Sequence, residues 1–507
     1  MKGDICIVGG GTAGWFAAAY LSRQFPDKKI ILVESKNVPK IGVGESVTPH
    51  VVDFVTHELG LDERKWMKET GAIFKLGNRF IDWCHKGHSE YFSFTYAMPE
   101  RFAIGKEEVT NIDDMAPDGS PLTTDVFLDL YNKGYFDKFD KFFHSQYNWM
   151  DKQKFHEDNI KSIYGVSHHI NADETTEYVK NNIGIPNGVI HIEDDVIDVG
   201  VKEDRVSYID TKYHSRIESD YFVDSTGFKR LLISKLNVKI KDYNYPINKA
   251  IVGRSEYTDP SKEMKNYTQS IAEDWGWSFK VTLNQRVGNG FCFSDAHVSD
   301  TQAWDFFTNK FKAEPRFIKW NTDRLEEPCK GNVICVGLSN GFIEPLEANN
   351  LFIIVESILS LGKFLKHFYK TGNEDHESFN LKTKISFDNI RDFLLVHYTL
   401  VDKDRSEFWK DMCDIGVKEN HVDYVYEKYK DKNCNMIAAI NGETLFPEYM
   451  WLQFAISWGL DVSKWVSKKS TYSLTKAFTF FNSNYMSNYV LSSQYDNYYK
   501  AHNKWIQ

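Results

Sequence analysis

The sequence predicts an α/β chain: a doubly wound, nucleotide-binding lobe with a mixed β-sheet over residues 1–350, and a helical lobe over 351–507 packed on it. Three observations predict it. DICIVGG (4–10), AGWFAAAYLSRQF and KIILVE (29–34) read as strand, helix and strand, a βαβ unit over residues 1–35. Gly9-x-Gly11-x-x-Gly14 occupies the first turn of that unit, and Glu34 ends its second strand. Beyond Asn350 the short strand-like runs give way to apolar-faced helices, beginning with LFIIVESILSLGKFLKHFYK.

Each glycine of the first turn has a reason. Gly9 permits the tight turn, Gly11 lets the backbone approach a pyrophosphate, and Gly14 allows the helix to pack closely on the strand. The helix N-terminus then offers N–H groups to the phosphates, and Glu34 can accept from ribose hydroxyls. The motif alone leaves NAD and FAD open.

After the loop NVPKIGVGES, Thr48 and Pro49 signal a helix start and Gly60 its stop. Short strands are expected around 71–83 and 90–95, then a loop-rich, helical and strongly aromatic region over 100–160. Asn171 caps a further helix through TTEYVKNN. A meander over 189–221 ends in DYFVDSTG (220–227), a strand returning to the first sheet, and 248–295 is strand-rich. GNVICVGLS (331–339) is another buried strand. Within TGAIFKLGNRF (70–80), Lys75 stands among Ile73, Phe74 and Leu76 in a short strand, so it is either a solvated outward lysine or an inward amine with chemistry to perform.

Composition removes several classes. The net charge of −10 argues against nucleic-acid and membrane-surface binding. Seven scattered cysteines without a Cys-x-x-Cys pair indicate neither a disulfide framework nor a zinc site, and no metal is expected. Apolar runs such as LFIIV (351–355) are too short to span a bilayer, and a strand from Asp4 leaves no room for a signal peptide. The expectation is a cytoplasmic protein.

DYFVDSTG and GNVICVGLS resemble the later nucleotide-contacting strands of two-dinucleotide-fold flavoproteins, which selects FAD. VGGGTAGW (8–15), IGVGESVTP (41–49), GAIFKLGNRFIDW (71–83), VDSTGFKRLLI (223–233), SIAEDWGWSFKVT (270–282) and GFIEPLE (341–347) together resemble flavin-dependent halogenases of the tryptophan-halogenase type. They occur in the family's order and span residues 1 to about 370. The resemblance implies a monooxygenase-like FAD lobe and a halogenase that uses O2, a halide (chloride, bromide or iodide) and FADH2. No NAD(P)H region is readable, so a separate flavin reductase supplies FADH2. Hypohalous acid made at the flavin passes through a tunnel to an electron-rich aromatic of indole or phenol type, and a homodimer is a family-level expectation.

The same resemblance assigns residues. Lys75 falls on the family's lysine, which hydrogen-bonds hypohalous acid or forms a haloamine with it, and Glu347 falls on the active-site glutamate. Flavin contacts extend from Gly9, Gly11, Gly14 and Glu34 to Gly10, Thr12, Ala13, Gly42, Glu45, Ser46, Val196, Asp224 and Leu338. Halide binding falls on Asn349 and Asn350, where the family has a Ser-Thr-Gly run. The family's Trp-x-Trp-x-Ile-Pro element reads Trp277-Ser278-Phe279-Lys280-Val281-Thr282, so Trp277 and Phe279 either wall off the flavin or are ordinary sheet core. The clamp for free tryptophan has no clear match. Phe94, Tyr449, Trp451 and Phe454 are the remaining substrate-pocket candidates, and Glu344 is assigned a structural role beside Pro345.

Two other functions compete. An aromatic hydroxylase of the same fold commonly carries Gly-Asp after the late strand, where this chain has Gly337-Leu338-Ser339. An inert flavin-binding module is opposed by the presence of both Lys75 and Glu347.

Overall fold

A computed structural model describes residues 1–38, 42–93, 145–155, 166–399, 401–418, 445–446, 454, 457–458 and 496–507. The opening strand Lys2–Val8 lies between two parallel neighbours, Ile30–Glu34 and the returning strand Ser215–Asp224. Its residues Ile5 to Val8 are buried on both faces, as expected for a parallel strand covered by helices. The eight-stranded sheet runs Val196–Lys202, Arg205–Thr211, Ser215–Asp224, Lys2–Val8, Ile30–Glu34, Ile190–Glu193, with Val333–Cys335 pairing to Ser215–Asp224 and Cys329–Lys330 to Val333–Cys335. DYFVDSTG thus returns beside the first strand, and GNVICVGLS joins it one place further out.

A second sheet of seven strands holds most of the 248–295 region, in the order Arg316–Lys319, Lys249–Glu256, Arg286–Phe293, Gly276–Thr282, Tyr267–Glu273, Gly77–Ile81, Ser89–Ser93. The strands of a three-stranded sheet are interleaved along the chain with those of the two large ones. In it Ser167–Ile170 pairs with Glu45–Ser46 on one side and Ile73–Lys75 on the other.

The helix at Pro49 starts after Thr48, whose backbone is extended but whose hydroxyl makes no capping bond. It runs to Asp53, widens into a π-helical turn over Phe54–Glu58, and ends before Gly60 at φ 71°. The helix after Asn171, Ala172–Val179, widens in the same way over Lys180–Gly184. The long helix Asn349–Thr371 packs along the first helix, Thr12–Gln24, where a Cβ at Gly362 would meet the Tyr20 ring at 2.6 Å. No helix among the described residues is long and apolar enough to cross a membrane. None of the six described cysteines is in a disulfide.

Candidate active site

The nucleotide cleft is built by the first turn. Gly9 has φ 114°, and a Cβ there would lie 2.4 Å from the Ser225 carbonyl oxygen. A Cβ on Gly14 would lie 1.9 Å from the Gly9 carbonyl, so the close packing expected of this glycine is real. Gly11 faces open space, with no atom within 4 Å of its Cβ position, and the helix Thr12–Gln24 it precedes has no side-chain cap. Its first N–H groups therefore remain available to an anion. Glu34 folds beneath Gly10. Trp15 Nε1 donates to its Oε2 at 2.8 Å, and His191 Nε2 lies 3.4 Å from the same oxygen. Both contacts fall on Oε2, which leaves Oε1 for a ribose hydroxyl, so the turn and its acid fit the dinucleotide portion of FAD.

The other expected flavin residues divide. Ala13 approaches the turn after the late strand, where a Cβ on Gly337 would lie 2.7 Å away from it, and Leu338 follows, half-buried against the aromatic core. The Gly42 carbonyl accepts from Arg254, and Thr12 Oγ1 shares a hydrogen bond with Thr176 Oγ1 at 3.0 Å. Val196 begins an outer strand. Asp224 is wholly committed: its oxygens accept from the backbone of Thr226, Leu232 and Ile233 and from the Thr226 hydroxyl at 2.7–3.0 Å. It shapes the loop after its strand and has no oxygen to spare.

Lys75 is fully buried. Its Nζ donates to Ser46 Oγ, and to the Val47 carbonyl at 3.5 Å. Burial lowers its pKa to about 7, while the charge of the Glu347 carboxylate pulls the other way. Ser46 and Lys75 meet because both of their strands pair with Ser167–Ile170. Ser46 Oγ lies 3.0 Å from Thr268 Oγ1, which lies 2.9 Å from His169 Nε2. His169 Nδ1 faces the Thr282 carbonyl at 2.9 Å and must carry the hydrogen, since a carbonyl only accepts. Burial first, then Lys75, hold this imidazole well below the ordinary histidine range and keep it neutral.

Glu347 comes from the loop before the helix Asn349–Thr371. Both Glu347 (φ 61°) and Ala348 (φ 60°) are left-handed, a conformation that costs a non-glycine residue about 1–2 kcal/mol. Asn78 Nδ2 donates to Glu347 Oε1 at 2.8 Å. Asn78 and Thr268 are partners in adjacent strands, so one register of the seven-stranded sheet supports both the lysine and the glutamate. His397 Nε2 approaches the same Glu347 oxygen at 3.8 Å.

Glu344 is also fully buried. It accepts from Tyr245 at 2.6 Å, Tyr398 at 3.0 Å and Trp277 Nε1 at 3.0 Å. Burial nonetheless pushes it up to about 7. Trp277 is thereby fixed in the core, with Phe279 beside it at 5.8 Å between ring centroids. Asn349 is buried and turns its amide back onto the Leu346 carbonyl at 3.1 Å; Asn350 is half-buried, and no side chain caps the helix the two residues open. Phe454 is buried against Phe92, Phe80 and His397. Phe94, Tyr449 and Trp451 lie outside the described residues. Sequence reading missed Asn78, His169, Thr268 and His397. Of these only Asn78 had a nearby signal, three residues after Lys75.

A glycine turn built for a dinucleotide on one sheet, with a buried amine under the influence of a buried carboxylate beyond the strand of Glu45 and Ser46, points to the class: a flavin-dependent halogenase, using FAD, O2 and halide. The chain belongs to the tryptophan halogenase family, whose model matches residues 4–468. It is 29% identical over 464 residues to the 7-chloro-L-tryptophan 6-halogenase KtzR of Kutzneria sp. (strain 744), with 87% of each chain covered. It is 28% identical over 485 residues to the tryptophan 6-halogenase SttH of Streptomyces toxytricini, covering 88% of this chain and 86% of that one. Among solved structures, Tar14, a tryptophan C-6 flavin-dependent halogenase from taromycin biosynthesis, superposes with a TM-score of 0.83 at 24% identity, covering all of both chains. Xcc4156, a flavin-dependent halogenase from Xanthomonas campestris, gives 0.83 at 22% identity over 99% and 98%. These two likenesses establish the shared fold.

Proposed function

We propose that the chain halogenates an electron-rich aromatic small molecule, of indole or phenol type, by capturing hypohalous acid at Lys75. The observation that carries this reading is a fully buried lysine, bonded to Ser46 and the Val47 carbonyl, whose pKa burial lowers to about 7 against the pull of the Glu347 charge. FAD, bound as FADH2 from a separate reductase, would supply hypohalous acid from O2 and halide, which would reach Lys75 through an internal passage. The helix N-terminus at Thr12 would hold the pyrophosphate and Glu34 the ribose, and the amides of Asn349 and Asn350 would hold the halide. The reading includes a cytoplasmic location and a homodimer.

At Lys75 the neutral amine's lone pair attacks the halogen. The N–X bond forms as the O–X bond breaks, and hydroxide leaves as water with the amine proton. The aromatic π-electrons then take the halogen, and the N–X pair stays on nitrogen. Glu347 removes the ring proton, the C–H pair restores aromaticity, and nitrogen regains a proton. In sum, hypohalous acid and arene give haloarene and water. Were Lys75 an ammonium, it would only donate a hydrogen bond to the oxidant, and the lowered pKa favours the amine.

The test supplies FAD, a reductase, NADH and each halide in turn with a panel of indoles and phenols. A halogen mass shift is expected. Oxygen insertion without halogen would support the hydroxylase, and neither product nor peroxide would support the inert module. In Lys75→Ala, halogenated product should vanish while oxygen consumption persists, and product at the wild-type rate would overturn the role. Glu347→Gln should lose most turnover with flavin binding retained.

A further inference from the structure

Capture of the oxidant requires Lys75 as a neutral amine while Glu347 remains a carboxylate able to take a proton. In a buried chamber that leaves one negative charge uncompensated, which is costly. His397 can supply the missing charge. It is fully buried near the end of the helix His376–Thr399. Its Nδ1 lies 3.0 Å from the Phe393 carbonyl one turn back, so Nδ1 carries the hydrogen and Nε2 presents a lone pair. That Nε2 is buried without a hydrogen-bond partner, 3.8 Å from Glu347 Oε1. Otherwise the ring packs against Phe454, Phe393 and Phe80, at 4.2, 5.1 and 5.4 Å between centroids. Two acceptors facing each other in apolar surroundings repel, and a single proton between them turns the pair attractive. Asn78 fixes the same carboxylate oxygen from the sheet side.

We propose that His397 is a positioning residue that acts through Glu347, holding the proton that Lys75 sheds before it captures halogen. This rests on the role of Lys75 given above. The ammonium proton passes to the Glu347 carboxylate, and the N–H bonding pair stays on nitrogen. The proton then passes from the carboxyl oxygen to His397 Nε2, and the O–H pair stays on oxygen. The result is a neutral amine, a carboxylate and an imidazolium, with the net charge of the chamber unchanged. Among the described residues Glu347 is the ionisable group facing Nε2; the Glu347 charge acts on Lys75, and the Lys75 charge in turn on neutral His169.

His397→Gln keeps a polar end but cannot hold a proton. Product formed per halide oxidised should fall by about tenfold near about pH 6 and recover near about pH 8, where Lys75, with its pKa at about 7, loses its proton to solvent. KM for the aromatic substrate and flavin affinity should stay within about twofold of wild type. An unchanged pH profile, or a loss equal at every pH, would overturn the proposal. So would wild-type protein labelled with 15N-histidine in which His397 stays neutral across that range, a measurement that does not depend on how the variant folds. Lys75→Ala separates the two ideas: if it still halogenates, the lysine reading fails, whereas its inactivity beside a wild-type-like His397→Gln sinks only the role of His397.

Discussion

Lys75 carries two linked consequences of its burial. Desolvation places its folded pKa at about 7, against about 10.4 for an unfolded lysine. Between those values the unfolded chain binds more protons, so this site's contribution to stability rises with pH across the window and is least below about 7. The amine fraction rises through the same lower value, so halogenated product per oxygen consumed should increase between about pH 6 and pH 8. A ratio that falls over that range would instead support an ammonium hydrogen-bonding the oxidant. Glu347 opposes the lysine's deprotonation, and His169 stands neutral beside it.

At the scale of elements, the segment Gly341–Glu347 delivers two acids to different ends. Glu347 reaches Asn78 and His397, while Glu344 pins Trp277 and two tyrosines. Glu344→Ala would strand three buried donors, each worth about 1–3 kcal/mol, so thermal unfolding should show a large loss of stability with Trp277 loosened. A variant that melts like wild type would mean those donors find other partners. The first strand, helix and strand were legible because their signals are local: an apolar run, a glycine turn and an acid at fixed spacing. Lys75 and Glu347 were legible only through motifs, since nothing local tells an inward strand lysine from an outward one. Asn78, Thr268 and His169 were not legible, because strand register brings them together from across some 190 residues of chain. His397 sits in an apolar helix face that reads like any core position. Asp224 is a strand-end acid by sequence, and only the folded loop shows its oxygens taken.

Across the whole molecule, one buried core joins the first helix, the lysine strand and the last helix, Tyr498–Ile506, and a second gathers Trp83, Trp277, Trp409 and Phe454. On the proposed reading, reductant arrives in solution from a separate reductase. Chemically reduced FAD with O2 and halide should therefore sustain halogenation without any reductase, as product mass would report; dependence on the reductase itself would indicate a physical partner. The last helix has its own bearing on the chemistry. Tyr498 donates to the Phe74 carbonyl at 2.7 Å, and Trp505 packs on the Phe74 ring at 4.8 Å, one residue from Lys75. Substitutions at Tyr498 or Trp505 would reach Lys75 through Phe74, which makes this helix a remote handle on the amine proposed to capture the oxidant.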